Sequence, residues 1–464
     1  MLIGYVSDER YVALPDVMLE FTREGRSIEA RSRATGAVYA ELTPGQYEVT
    51  LYKPGFGSKR VRLDVQAEQV HQFRLLSDGL LGYVWPKWVK AGEEAEFRVH
   101  STEAYKLELW RYGREKEFVR GLGWHDEHGP RATMQITPDG DYTQTGVAWN
   151  QQGYNIKVHR QFVEAPARSG LYYFHARTAS GLHFSFPWIV APAKPRHKLA
   201  VLASNITWNA YNSFGGRSNY IHADRFPPTP TVNSRQELNR YTDPACHLAA
   251  AEWRLLAWLE REGVDYDFYA ETQFHFDQLD LADYRVLVLS THPEYWSRKM
   301  YDRLKRWVND EGGKLVYLGG NGLNCEVEFL DAATMICRNG DQRELDRLKR
   351  ESRFHLRSES EAALLGVVYS EAGAMTGAPF RLVDADHWAF AGTGLSPGDL
   401  FGANSQHCRC PGGASAHETD KISPSSPHNV KLLAKGTNRD DGGAEMVYYD
   451  TASGGEVFSV GSIA

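Results

Sequence analysis

The run Pro192-Ala-Lys-Pro-Arg-His197 divides this chain into two kinds of sequence. Before it, apolar and polar residues alternate in short runs, as in VMLEFT, QYEVTLY, KRVRLDV, EAEFRVHS and YKLELWRYG. A period of two turns one face of each run to a core and the other to water, the pattern of paired, half-buried strands. After it come short continuous apolar runs, HKLAVLAS, YRVLVLS and KLVYLGG. They alternate with CHLAAAEWRLLAWLEREG and YWSRKMYDRLKRWVNDEGG, whose apolar residues recur at helical spacing. Glycines close both helical segments, Gly263 in one and Gly312-Gly313 in the other. Buried strands alternating with helices predict a parallel sheet with helical cover. Strands are expected near 198–204, 284–290 and 314–319, parallel to one another, with no strand over 245–262.

The first half divides again. Turn signals at Pro44-Gly45 and Pro54-Gly55 punctuate residues 1–76, a small sandwich that resembles the prealbumin-like, carboxypeptidase-regulatory type of domain. Residues 77–193 predict a second, immunoglobulin-like sandwich. It contains a polar stretch with Asp126, His128, Asp139, Asp141 and Tyr142 that reads as long loops. With 464 residues, three units are expected. The net charge of −7 gives no electrostatic support to nucleic-acid or anionic-membrane binding. The five cysteines (Cys246, Cys325, Cys337, Cys408, Cys410) all lie in the second half and form no framework, which points to a reducing, cytoplasmic setting. The C-x-C pair of Cys408 and Cys410 lacks the second pair that a soft-metal site needs. The N-terminus lacks a basic region and an apolar core, so no signal peptide is expected, and no apolar run is long enough to span a membrane.

Polar residues gather where ligands bind in an open α/β sheet, beyond the carboxyl ends of its strands. HKLAVLAS leads into an Asn-rich segment, Asn205 to Tyr220, that includes Tyr211. YRVLVLS leads into Thr291-His292-Pro293-Glu294, and KLVYLGG into Asn321-Gly322. His292 and Glu294 are two apart across a proline that favours extended backbone, so both side chains can share one side. Such a pair supplies a base and its partner, or a ligand and its orienter; alternatively Glu294 caps the following helix. Tyr211 is either an aromatic plug in a tight loop or a phenolate ligand. Gly215-Gly216 predicts a tight loop anchored by Arg217. A covalent nucleophile finds no place: the turn after KLVYL reads Gly319-Gly320-Asn321-Gly322, and Cys325 comes too late.

The runs TWNAYNSFGGRSNY, AEWRLLAWLEREGVDYDFYAETQF and ADYRVLVLSTHPEYWSRKMYDRLKRWVNDEGGKLVYLGGNG, with GEVFSVGSIA at the end, make residues 197–464 resemble the C-terminal domain of the N,N-dimethylformamidase large (beta) subunit family. The resemblance implies two β-sandwich domains followed by a class I glutamine-amidotransferase-like α/β domain with a mostly parallel sheet. It implies an amidohydrolase acting on a linear N-substituted amide with a mononuclear ferric iron. The ligands carried over are Tyr172, Tyr211 and Glu294, with Tyr173 adjacent to the first and turned to the opposite face. His292 and Asn321 match polar residues near the iron, as proton shuttle and oxyanion donor, and Glu418 of AHETDK is a candidate base. A small accessory subunit and an oligomer are also implied. Family members continue past GSIA, so a C-terminal truncation is expected. Two rival readings stand beside this one: a non-catalytic assembly protein built of β-modules, and a hydrolase of carbohydrate-linked amides.

Overall fold

A computed structural model describes residues 1–8, 12–67, 69–75, 79–101, 103–125, 162–211, 249–332, 334–337, 352–372, 375–405 and 410–463. The alternating runs of the first 75 residues form two sheets of three and four strands that face each other. Val6, Val17, Leu19, Phe21 and Val49 fill the space between them. Tyr47 closes one edge, its hydroxyl donating to the Thr43 carbonyl at 3.0 Å.

The next run of strands makes a three-stranded and a five-stranded sheet. The strand Gly170–Thr178 of the five-stranded sheet is buried on both faces through its first five residues. Tyr172, Phe174 and Ala176 point into the sandwich core with Phe97 and Trp188. Leu171 and Tyr173 point the other way, into an apolar seam shared with Val201, Trp208, Leu256 and Phe268. That seam joins the sandwich to the largest sheet.

The largest sheet has nine strands. In chain order they are β1 (Leu199–Ala203), β2 (Asp267–Ala270), β3 (Val286–Thr291), β4 (Lys314–Gly319), β5 (Phe380–Leu382), β6 (Leu400–Phe401), β7 (Lys431–Gly436), β8 (Glu445–Asp450) and β9 (Glu456–Ser459). Across the sheet the order is β2-β1-β3-β4-β9-β8-β7-β5-β6. The pairings from β2 to β9 are parallel. Those from β9 to β6 are antiparallel.

This corrects the expected fold class. The described residues are mostly β-sheet, and the sheet is evenly mixed rather than mostly parallel, so the chain is not a glutamine-amidotransferase-like α/β domain behind two sandwiches. The reason is local. Between β8 and β9 the chain has only a short Gly-rich turn, closed by the Thr451 amide donating to the Gly455 carbonyl at 2.9 Å. A link that short can only join antiparallel neighbours, because a parallel crossover needs about a dozen residues or more.

Four helices matter for the site: α1 (Asn205–Tyr211), α2 (Ala249–Arg261), α3 (Glu271–His275) and α4 (Arg298–Glu311). The amphipathic α4 buries Met300, Tyr301, Leu304, Trp307 and Val308. Ser297 caps its start, accepting from the Met300 amide, and left-handed Gly312 ends it. A Cβ at Gly313 would lie 2.1 Å from the Trp307 ring, so only glycine lets the chain turn back here. Among the described residues no helix is long and apolar enough to cross a membrane.

Candidate functional site

The parallel half of the sheet delivers three chain segments to one place. The first is α1, which begins directly after β1. Its opening backbone amides meet two buried carboxylates: the Ser204 amide donates to Glu252 of α2 at 2.9 Å and the Ile206 amide to Glu271 of α3 at 3.3 Å. Carboxyl oxygens at this end accept from amides that have no partner within the helix. Trp296 donates its indole N–H to Glu271 at 2.6 Å, and the Tyr295 amide donates to Thr207 at 3.2 Å. These bonds fix α1 against the segment after β3, and Tyr211 sits on the last position of the helix.

The second segment is the turn after β3 and the third is the turn after β4. Thr291, Asn321 and His417 all have positive φ, at 57°, 50° and 67°. Side-chain-bearing residues adopt this left-handed region at a cost, and such strain clusters where geometry is needed for function. Here it precedes or includes His292, Asn321 and Glu418. Gly320 explains how the segment bearing Glu418 comes so near: a Cβ there would lie 2.2 Å from the Glu418 carbonyl oxygen.

Five of the six residues singled out from sequence meet here. The Tyr211 hydroxyl donates to Glu294 Oε2 at 2.9 Å and lies 3.3 Å from His292 Nε2. His292 Nε2 is 3.1 Å from Glu294 Oε2 and 3.5 Å from Glu418 Oε2. Asn321 Nδ2 donates to Glu418 Oε2 at 3.0 Å. The His292 ring is fully buried, and its Nδ1–H donates to the Gly320 carbonyl at 3.1 Å. A carbonyl only accepts, so this bond fixes the proton on Nδ1 and turns Nε2 to the carboxylates. Burial alone pushes the imidazole pKa down; Glu418, Glu294 and the Gly320 carbonyl outweigh it and raise it to about 9. Glu294 does not cap α4, since Ser297 does.

Tyr172 is the exception. Its hydroxyl donates to the Arg168 carbonyl at 2.7 Å, inside the sandwich core. The period of two turns Tyr173, the neighbouring candidate, toward the seam instead, where its ring stacks on Tyr112 at 4.5 Å. The ferric centre implied by the resemblance needs two phenolates and a carboxylate. Tyr211 and Glu294 offer two hard oxygens at one point, but the third donor is turned away, so the expected set does not fit as it stands. Among the described residues no group of three or more His, Cys, Asp or Glu side chains is placed to hold a metal ion.

Three buried carboxylates escaped the sequence reading. Glu252, Glu271 and Asp420 look like ordinary surface acids in AEWRLL, AETQF and HETDK. Burial raises Glu252 to about 8 and Asp420 to about 7, and pushes Glu271 well above its usual range. The usable signal was position, because Glu271 follows directly on the end of β2 and Asp420 lies two residues from Glu418. Arg217, Gly215-Gly216, Cys246, Cys408 and the stretch holding Asp126, His128, Asp139, Asp141 and Tyr142 lie outside the described residues.

A family model described as N,N-dimethylformamidase beta subunit-like, C-terminal, matches residues 103–464. The N,N-dimethylformamidase beta subunit of Paracoccus aminophilus is 26% identical over 46% of this chain and 33% of that protein. The beta subunit from an Alcaligenes species is 25% identical over the same shares. The match thus spans about a third of the length of these curated relatives. Among solved structures, a DUF3823 family protein from Bacteroides ovatus is 10% identical, covering 40% of this chain and 98% of that one, with a TM-score of 0.15. The Bacillus anthracis TIE protein is 13% identical, covering 43% of this chain and 35% of that one, with a TM-score of 0.14. Likeness this slight bears on neither fold nor function.

Proposed function

Because the chain belongs to the N,N-dimethylformamidase beta subunit-like C-terminal family, we propose that its Tyr211–His292–Glu294–Glu418–Asn321 cluster hydrolyses the C–N bond of a small linear, N-substituted amide. The observation that carries this reading is the convergence of a phenol, an imidazole and two carboxylates on His292 Nε2 within 3.5 Å, at the carboxyl ends of parallel strands. Glu418 takes a proton from water as the water oxygen bonds to the acyl carbon. The Asn321 amide, which gives one N–H to Glu418, donates its other N–H to the oxygen that gains negative charge. His292 gives its Nε2 proton to the departing nitrogen as the C–N bond breaks, leaving an acid and an amine. Glu418, 3.5 Å from His292, returns the proton and closes the cycle. Glu294 and Tyr211 hold the imidazole in place throughout.

In this reading a small accessory subunit is a partner, as the beta-subunit relatives suggest. A panel of N-alkyl and N,N-dialkyl formamides and acetamides, with the released amine quantified and iron measured on the same sample, tests the proposal. Amine release by the wild-type chain, abolished in Glu418→Gln and His292→Asn, supports it. No release from any amide, with and without added ferric or ferrous iron, favours the non-catalytic assembly reading instead.

A further inference from the structure

Asn321 combines three features that its surroundings must hold in place. Its backbone is left-handed at φ 50°, a conformation that asparagine tolerates better than most residues but does not prefer. Its side-chain Nδ2 donates to Glu418, while its buried Oδ1 has no hydrogen-bond partner among the described residues. A buried, half-satisfied amide costs free energy and persists where something else imposes it.

What imposes it lies behind the turn. The Asn321 backbone amide donates to Asp420 Oδ1 at 2.7 Å. Asp420 Oδ2 accepts from the Tyr317 hydroxyl at 2.8 Å. The Tyr317 oxygen in turn accepts from the Gly322 amide at 2.7 Å. Two consecutive backbone amides of the turn are thus gripped by one carboxylate–phenol pair, and both members of that pair are buried. Gly322 permits the grip, since a Cβ there would lie 2.5 Å from the Tyr317 oxygen. Asp420 is anchored itself, its amide donating to the Gly461 carbonyl at 2.9 Å. By holding the Asn321 and Gly322 amides, the pair fixes the turn that carries the Asn321 side chain to Glu418.

We propose that Asp420 and Tyr317 are positioning residues that hold Asn321 in its left-handed turn and so aim its side-chain amide at Glu418 and at the acyl oxygen of the substrate. The inference rests on the amide-hydrolase reading for its catalytic half. Its structural half stands alone: without Asp420 the turn relaxes and the Asn321 amide leaves Glu418.

The test uses the full chain with Asp420→Ala, Asp420→Asn and Tyr317→Phe. Kinetics are measured on the best amide of the panel, beside two-dimensional NMR of protein labelled with nitrogen-15 at asparagine. The Asn321 signals are assigned by their loss in Asn321→Ser. Asp420→Ala is expected to lower kcat by roughly 10²-fold, the scale of a lost oxyanion donor, with KM changed less than about threefold. Asp420→Asn keeps an oxygen acceptor for the Asn321 amide and is expected to recover most of that loss. Tyr317→Phe is expected to cost about tenfold or less. In each deficient variant the Asn321 backbone and side-chain signals move. Unmoved signals in a folded Asp420→Ala or Tyr317→Phe overturn the inference, as does a kcat that survives while only the melting temperature falls. Should the wild-type chain hydrolyse no amide, the functional reading fails, and the Asn321 signals alone still decide the positioning role.

Discussion

Two charge networks, each centred on a buried side chain, can be set side by side in this chain, and they are built on opposite plans. At the seam, Arg111 of the five-stranded sheet is almost fully buried and grips Glu117 and Glu260, with contacts of 2.7 Å to each. Arg168 adds a second cation to Glu260 at 3.0 Å, and Tyr266 donates to the same carboxylate. Burial works against the Arg111 charge, but the two carboxylates outweigh it and raise its pKa. Cations and anions match, and each carboxylate oxygen of Glu260 has a donor. At the site, by contrast, one imidazole faces Glu294 and Glu418, Asp420 lies close behind, and a phenol leans on Glu294. The first plan ties the five-stranded sheet to α2. The second leaves acid in excess over base in a buried place, which is expensive for a fold and useful for moving protons.

The contrast predicts that the seam network is spent on stability and the site network on chemistry. The largest effect should come from Arg111→Met, which leaves Glu260 facing the seam without its main partner. Arg168 and Tyr266 still reach Glu260, so the loss is that of charge-assisted hydrogen bonds, about 1.5–3 kcal/mol. Chemical denaturation should show that loss, while any amide hydrolysis per folded molecule stays within about twofold of wild type. A stability change under about 1 kcal/mol would mean that the seam is held by its apolar residues alone.

Next in size is Glu418→Gln. It keeps the shape of the side chain and removes the charge, so amide hydrolysis should fall by about 10²-fold or more, the range for a lost general base. Stability should stay level or rise, because one of several crowded carboxylates has gone. A large loss of stability with activity kept would reverse the comparison and make the site network structural.

Smaller again is a pH effect. Glu252 and Asp420 are raised by burial to about 8 and about 7. Both hold protons in the folded chain that they release when unfolded, since free carboxyls titrate near pH 4. Their contribution to stability is therefore complete below about pH 4 and is lost as pH rises through 7 to 8. Melting temperatures should decline over that window, and Glu252→Gln should flatten the decline by removing one of the ionisations behind it. An identical slope in the variant would show that Glu252 is ionised throughout, its charge held by the amides at the start of α1.

The same contrast shows what a reader of the sequence can and cannot see. Strands near 198–204, 284–290 and 314–319 were legible because continuous apolar runs mean burial on both faces. Tyr211, His292, Glu294 and Asn321 stood out as polar residues beside such runs, whereas Glu418 came only from the family resemblance. MVYYD and GEVFS are strand-like in sequence, but their antiparallel direction was not read, although the short turn between them carried the information. Burial of an acid is a different matter. Glu252 and Asp420 are set by what packs on them from elsewhere in the chain, and no local pattern encodes that.

Tyr172 and Tyr173 give the smallest and sharpest test. Period two says that adjacent residues face opposite ways, but not which way the site lies. The structure puts the Tyr172 oxygen on the Arg168 carbonyl within the sandwich core and turns Tyr173 to the seam, where Tyr211 also packs. Tyr172→Phe therefore removes one hydrogen bond and leaves a carbonyl with one partner fewer, a cost of about 1 kcal/mol. Metal content and amide hydrolysis should not change. Tyr173→Phe keeps the ring stacked on Tyr112 and removes only an oxygen that faces the seam. If iron is bound and a second phenolate is among its ligands, Tyr173→Phe is the variant that should lose metal and any visible absorption from phenolate to iron. Loss of iron in Tyr172→Phe with Tyr173→Phe unaffected would contradict the facing seen here, because the Tyr172 side chain would then have to leave the sandwich core.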